Sequence, residues 1–163
     1  MRFFAPMVVV LHVLAMAVPA SANNDTAWSR LDTERNACRA RASASPEFQA
    51  LRHWFQGVAN SNKATPTEAT QMTRFHQDYL RPCQEIELEI AWRTHPSLAK
   101  LYNAAAAQAD ANVARLVTYQ ISWGDYVRNG RAIRIDLNGQ LAAAKVALQL
   151  PSLNGLDLER YPR

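Results

Sequence analysis

A chain of 163 residues, 48% hydrophobic and 20% charged, is long enough to bury a core and too apolar for a disordered segment. Its 18 basic and 14 acidic residues leave +4, carried by 15 arginines with only Lys63, Lys100 and Lys145, and the charge is spread rather than blocked. No concentrated basic patch exists for nucleic acid, while weak attraction to an anionic envelope component such as an acidic glycan or lipid headgroup stays open.

Met1-Arg2 opens the chain with one positive charge, and Phe3 to Val18 follow as an apolar stretch interrupted by Pro6 and His12. That run is short and broken for a bilayer span, and Pro19 followed by Ala20-Ser21-Ala22 fits signal peptidase. Residues 1–22 are therefore expected to be a Sec-type signal peptide cleaved after Ala22, exporting the chain to the periplasm or beyond. No Cys follows the apolar run, which excludes a lipoprotein anchor, and no later segment is apolar enough to span a membrane. The mature part reads as one helical domain, 23–150, with a loosely ordered tail, 151–163, whose Leu153, Leu156 and Leu158 could cover an end of it. Its two cysteines, Cys38 and Cys83, are expected to form a disulfide, since export places them where such bonds persist and there is no C-x-x-C to suggest redox or metal chemistry.

Helix-favouring residues dominate, and the apolar spacing agrees. Trp28, Leu31, Cys38 and Ala42 mark a first helix over about 25–43. Ser45-Pro46-Glu47 caps a second, with Phe48, Leu51, Phe55 and Val58 on one face, ending near Asn60. Thr65-Pro66-Thr67-Glu68 is a capping box that starts a third, whose inner face is Ala69, Met72, Phe75 and Tyr79. Pro82 is expected to kink or interrupt it after Leu80. Glu85 to Ile90 alternates with period two, a strand signature, but lacks a turn-linked partner strand and carries a Glu89–Arg93 pair, so helix is the reading. After His95-Pro96-Ser97, Leu98, Leu101, Ala105, Ala109, Val113, Leu116 and Gln120 mark a long helix whose Ala104–Ala107 run allows close approach of a neighbour. Ser122, with Asp125 at N3, caps the last, carrying Tyr126, Ile133, Leu137, Leu141, Ala144 and Leu148 inward until Pro151. The fold class is all-α: a single antiparallel bundle of five or six helices, the last two long and forming an αα-hairpin.

Candidate chemistry is sparse. His53, His76 and His95 stand on separate segments, so no metal site is expected, and without C-x-x-C-H there is no attached haem and no cofactor expected. Glu47 beside Phe48 is the one acid that could serve a cell-wall glycan hydrolase, although an acid in a first helical turn is more simply explained by the helix dipole. Glu85, Glu87 and Glu89 do not converge on a helix and read as solvated partners of Arg81 and Arg93. The best candidate contact surface is Arg128, Arg131 and Arg134 with Trp123 and Tyr126, because Arg and aromatic residues are enriched where interfaces concentrate their energy.

The segment Gln120-Ile121-Ser122-Trp123-Gly124-Asp125-Tyr126, joining two long helices, resembles a hinge found in small uncharacterised exported helical proteins of bacteria. The likeness covers about the last third of the chain, departs from it at Arg128 and Gly130, and carries no activity. The expected function is a non-enzymatic periplasmic binding or accessory protein, monomeric or weakly dimeric, contacting a protein or an anionic envelope component, with a chaperone-like role as one form of this. The alternatives are a small-molecule or tetrapyrrole carrier using the core around Met72, Phe75 and Tyr79, and the glycan hydrolase.

Overall fold

A computed structural model describes residues 22–149 apart from residue 58, with side chains from residue 29 onward. The leader (all but its last residue), the 151–163 tail, the Pro151 stop and the side chains of Trp28 and Val58 lie outside the described residues. The described chain is all-α, with no strand: α1 (Ala22–Ala44), α2 (Pro46–Leu51), α3 (Pro66–Phe75), α4 (Arg81–Thr94), α5 (Pro96–Val117) and α6 (Trp123–Ala147). None of these helices is long and apolar enough to cross a membrane.

Helix starts follow local chemistry. Ser45 accepts from the Phe48 amide before Pro46, and Thr65 with Glu68 forms a reciprocal capping box before α3. His95 caps α5 through its Nδ1, which accepts from the Ser97 amide at 3.1 Å. Between α3 and α4 the chain does not break: it widens into a π turn, His76–Leu80, and α4 resumes with Pro82 in its first turn. Pro82 has no N–H to continue an α ladder, and the wider turn keeps the axis running past it. Residues 85–93 lie within α4, so the helical reading of the alternating stretch holds.

Three expectations change. The long fifth helix stops at Val117, so Gln120 lies beyond it, after Tyr119 turns the chain with a positive φ of 60°. The second helix stops at Leu51 rather than near Asn60, and the chain continues in tight turns closed by Trp54 N–H to Leu51 O at 2.9 Å. The reason is tertiary: leaving the helix brings the Trp54 ring parallel to Trp123, with centroids 5.9 Å apart, and lets its indole N–H donate to Glu68 at 2.7 Å. Glu87 is not a solvated charge; it is only 8% exposed and pairs with Arg39 of α1. Glu89 does pair with Arg93, as its i,i+4 spacing implies.

The buried apolar residues form two clusters. One, around Leu31, Ile90, Leu98, Tyr102, Leu137 and Leu141, joins α1, α4, α5 and α6. The other gathers Leu51, Met72, Phe75, Leu116, Ile121 and Trp123, with Phe48, Phe55, Tyr79 and Tyr126 packed against it. Cys38 and Cys83 are disulfide-bonded, with Cα atoms 5.6 Å apart, tying α1 to the start of α4. Helix α5 packs against both α4 and α6.

Candidate functional site: the α6 face

The start of α6 is built by groups from distant parts of the chain. Ser122 and Asp125 form a capping box: the Asp125 amide donates to Ser122 Oγ at 3.1 Å, and the Ser122 amide donates to Asp125 Oδ2 at 3.0 Å. Hydrogen bonds from the Ser122 side chain and backbone, together with the Arg128 guanidinium, hold the Asp125 carboxyl below the usual carboxylate range. The loop before α3 supplies what the box does not: Asn62 O accepts from the Trp123 amide at 2.9 Å and Asn60 O from the Gly124 amide at 2.8 Å. Lys63 Nζ then donates to Gln120 O at 2.9 Å. A polar recess of about 300 Å³ lies here between Ala59–Lys63 and Ser122, Asp125 and Arg128. Because these helix-end donors are already occupied by carbonyl and side-chain oxygens, the recess offers an anion no free amide at those positions.

Beneath this end sits an aromatic cluster. Trp123 is fully buried, stacked on Trp54 and edge-on to Phe55 and Tyr126. Both indoles point their N–H groups at one carboxylate: Glu68 Oε1 accepts from Trp54 at 2.7 Å and Oε2 from Trp123 at 3.5 Å, while Oε2 also takes the Thr65 amide at 2.8 Å. Burial pushes the Glu68 carboxyl up, but the hydrogen bonds from Thr65, Trp54 and Trp123 outweigh it and leave it below its ordinary value.

Of the residues singled out in the sequence, Trp123 is thus closed off from solvent and Tyr126 is half-buried, while Arg128, Arg131 and Arg134 are exposed along α6. Arg128 is engaged with Asp125. Arg131 and Arg134 have no ion-pair partner among the described residues. Cross-links between α5 and α6 fix the ridge: Asn112 Nδ2 donates to Tyr126 O at 2.9 Å, and Asn129 Nδ2 to Asn112 Oδ1 at 3.0 Å.

Comparison with family models, curated proteins and solved structures finds no match to this chain.

Arg134 also rims a second feature that the sequence did not disclose, a groove of about 270 Å³ between α4, α5 and α6. Ala105, Ala106, Ala109 and Gly130 line it with small surfaces, Ile133 and Leu137 add apolar ones, and Gln84, Glu87 and Tyr102 bring polar groups. The Ala104–Ala107 run was the one signal for it. A Cβ placed on Gly130 would meet nothing within 4 Å, so the packing inside the chain does not call for glycine there. Around Met72, Phe75 and Tyr79, the region named for the carrier alternative, the Phe48 and Phe55 rings pack at 5.6–6.4 Å from Phe75. The groove's volume falls just below the usual range for small-molecule sites, about 300–1,000 Å³.

The remaining titratable groups sit in structural pairs or alone. His76 Nε2 contacts Asp110 at 2.8 Å, joining the π turn to α5, and His53 packs on Trp54 with ring centroids 4.4 Å apart. No three His, Cys, Asp or Glu groups converge as a metal site among the described residues. Glu47 has one carboxyl oxygen buried without a hydrogen-bond partner among the described residues.

Proposed function

We propose that this chain is an exported, non-enzymatic binding or accessory protein of the bacterial periplasm, acting through a protein contact on α6. In this reading the helices form an antiparallel bundle with α5 and α6 as an αα-hairpin, and a leader over residues 1–22 is removed after Ala22. The disulfide and the lack of a membrane-crossing helix among the described residues are compatible with an exported chain.

The observation that supports the binding reading is Gly130. A glycine inside an exposed helix costs about 1 kcal/mol relative to alanine. At Gly130 a side chain would meet nothing inside the chain, yet would narrow the groove that Ala105, Ala106 and Ala109 also keep shallow. Small residues on both walls let a partner's main chain lie close, and Arg134 at the rim suits an acidic side chain on that segment. Apolar contact fixes the segment, and Arg134 selects its charge.

Photo-crosslinking in intact cells tests this, with the crosslinker placed at Gln84 in the groove and, as control, at Gln77 on the π turn. A discrete protein adduct at 84 but not at 77, lost on Arg134→Glu, is the expected result. No adduct at 84, or one indifferent to charge reversal at Arg134, refutes the reading.

A further inference from the structure

The opposite side of α6 carries a second apolar face. At about 100° per residue, Ala132, Ile135, Gly139, Ala142 and Val146 fall within one arc of about 80°, nearly opposite Leu137 and Leu141, which bury into the core. All five are exposed, Ile135 at 69% and Val146 at 80%. Their spacing is three, four, three, four, which is the seam of a two-stranded coiled coil rather than the broader stripe of a surface helix. Gly139 sits mid-seam with nothing within 4 Å of where its Cβ would be, so nothing inside the chain requires a glycine there.

We infer that this face is the contact between two copies of the chain, packed through α6 in parallel about a two-fold axis along the helices. Charge decides both the occupant and the direction. With Ala132, Gly139 and Val146 as the a positions and Ile135 and Ala142 as the d positions, Arg131 is a g residue and Asp136 an e residue. A parallel, in-register pair sets each g residue against the e residue five positions on in the other helix, so Arg131 meets Asp136 of the partner subunit. The two-fold axis makes that ion pair twice. Among the described residues Arg131 has no ion-pair partner, and Asp136 accepts only from the neutral Gln140 amide, at 2.8 Å. An antiparallel pair would instead bring Arg131 against Lys145 of the partner subunit and repel. Ala132, Gly139 and Ala142 allow the axes to approach closely, and Ile135 and Val146 supply the apolar contact. The seam is about 21 Å long, which fits a modest affinity.

This does not rest on the groove reading, because the groove and the seam lie on opposite sides of α6 and sedimentation needs no other partner. Protein expressed with its own leader and recovered from the periplasm would be followed by sedimentation equilibrium. The expected result is a reversible dimer with a dissociation constant of about 10–100 μM, weakened about tenfold or more by Ile135→Glu. Asp136→Arg weakens it as well, and Arg131→Asp combined with Asp136→Arg restores it. These positions are exposed, and unchanged circular dichroism of the variants excludes misfolding as the cause. A chain still monomeric at about 1 mM overturns the inference. So does a dimer indifferent to Ile135→Glu, or a charge swap that fails to rescue. If the monomeric chain dimerises only after removal of residues 150–163, the occupant is the chain's own tail and a second copy is refuted.

Discussion

Replacing Glu68 with Gln tests whether one carboxylate holds the aromatic end together. The change keeps size and shape but leaves one acceptor oxygen where there were two. Glu68 Oε2 serves the Thr65 amide at 2.8 Å and the Trp123 indole at 3.5 Å, while Oε1 serves Trp54 at 2.7 Å. If the amide oxygen stays with Thr65, the amide nitrogen faces the Trp54 N–H, donor against donor. A hydrogen bond to a charged group contributes about 1.5–3 kcal/mol, and Trp54 is half-buried, so water recovers part of the loss. The expected cost is about 2 kcal/mol, which in urea at pH 7 lowers the midpoint by about 1 M. The partner is identified by a double-mutant cycle: in a Trp54→Phe background the same change should cost about 1 kcal/mol less. Acid gives an independent check. Because Glu68 titrates lower folded than unfolded, its stabilisation is complete above the unfolded value of about 4.3 and is lost as pH falls through the folded value. The difference between wild type and Glu68→Gln should therefore shrink below about pH 4. A cost under about 0.5 kcal/mol, or a cycle that adds without coupling, refutes this account of the cluster.

Three further outcomes are expected. Reducing the Cys38–Cys83 bond, which closes a 45-residue separation, should cost up to about 4 kcal/mol in the chain-entropy model, read as the shift between oxidised and reduced urea curves; coincident curves would deny it a role in stability. Glu87→Leu removes the carboxylate facing Arg39, whose side chain is 20% exposed, and should destabilise by about 2 kcal/mol; a neutral result would show that solvent already screens the pair. Gly130→Ala should raise thermal stability, by about 0.5–1 kcal/mol, because open space surrounds the new methyl, while diminishing the crosslink at residue 84; a loss of stability would mean that the groove closes on its own floor.

Helix starts were legible because their determinants are adjacent in sequence. Ser45-Pro46, Thr65-Pro66 with Glu68, and Ser122 with Asp125 each satisfy helix-end donors within a few residues, and the structure uses them that way. The disulfide was legible from cysteine count and the expectation of export. Features set by distant neighbours left no local pattern to read. Trp54 leaves the helical path for Glu68 and Trp123, and Glu87 turns inward because Arg39, 48 residues earlier, is there to meet it. The candidate surface divides in the same way: the arginines alternate outward as helical spacing implies, whereas the burial of Trp123 depends on Trp54 and the loop that caps α6. Gly130 read only as a departure from a resemblance, because the space beside it is made by α5.

The π turn at His76–Leu80 also governs which insertions and deletions the chain could absorb. A π turn holds one residue more than the α geometry it interrupts, so removing the exposed Asp78 would return the segment to a regular helix without rotating α4 about its axis. Cys83 would still face Cys38. Removing one residue from within α4 ahead of Cys83 would swing that cysteine by about 100° and leave its partner behind. The surplus residue makes this stretch a place where the chain can change length and keep its covalent clasp.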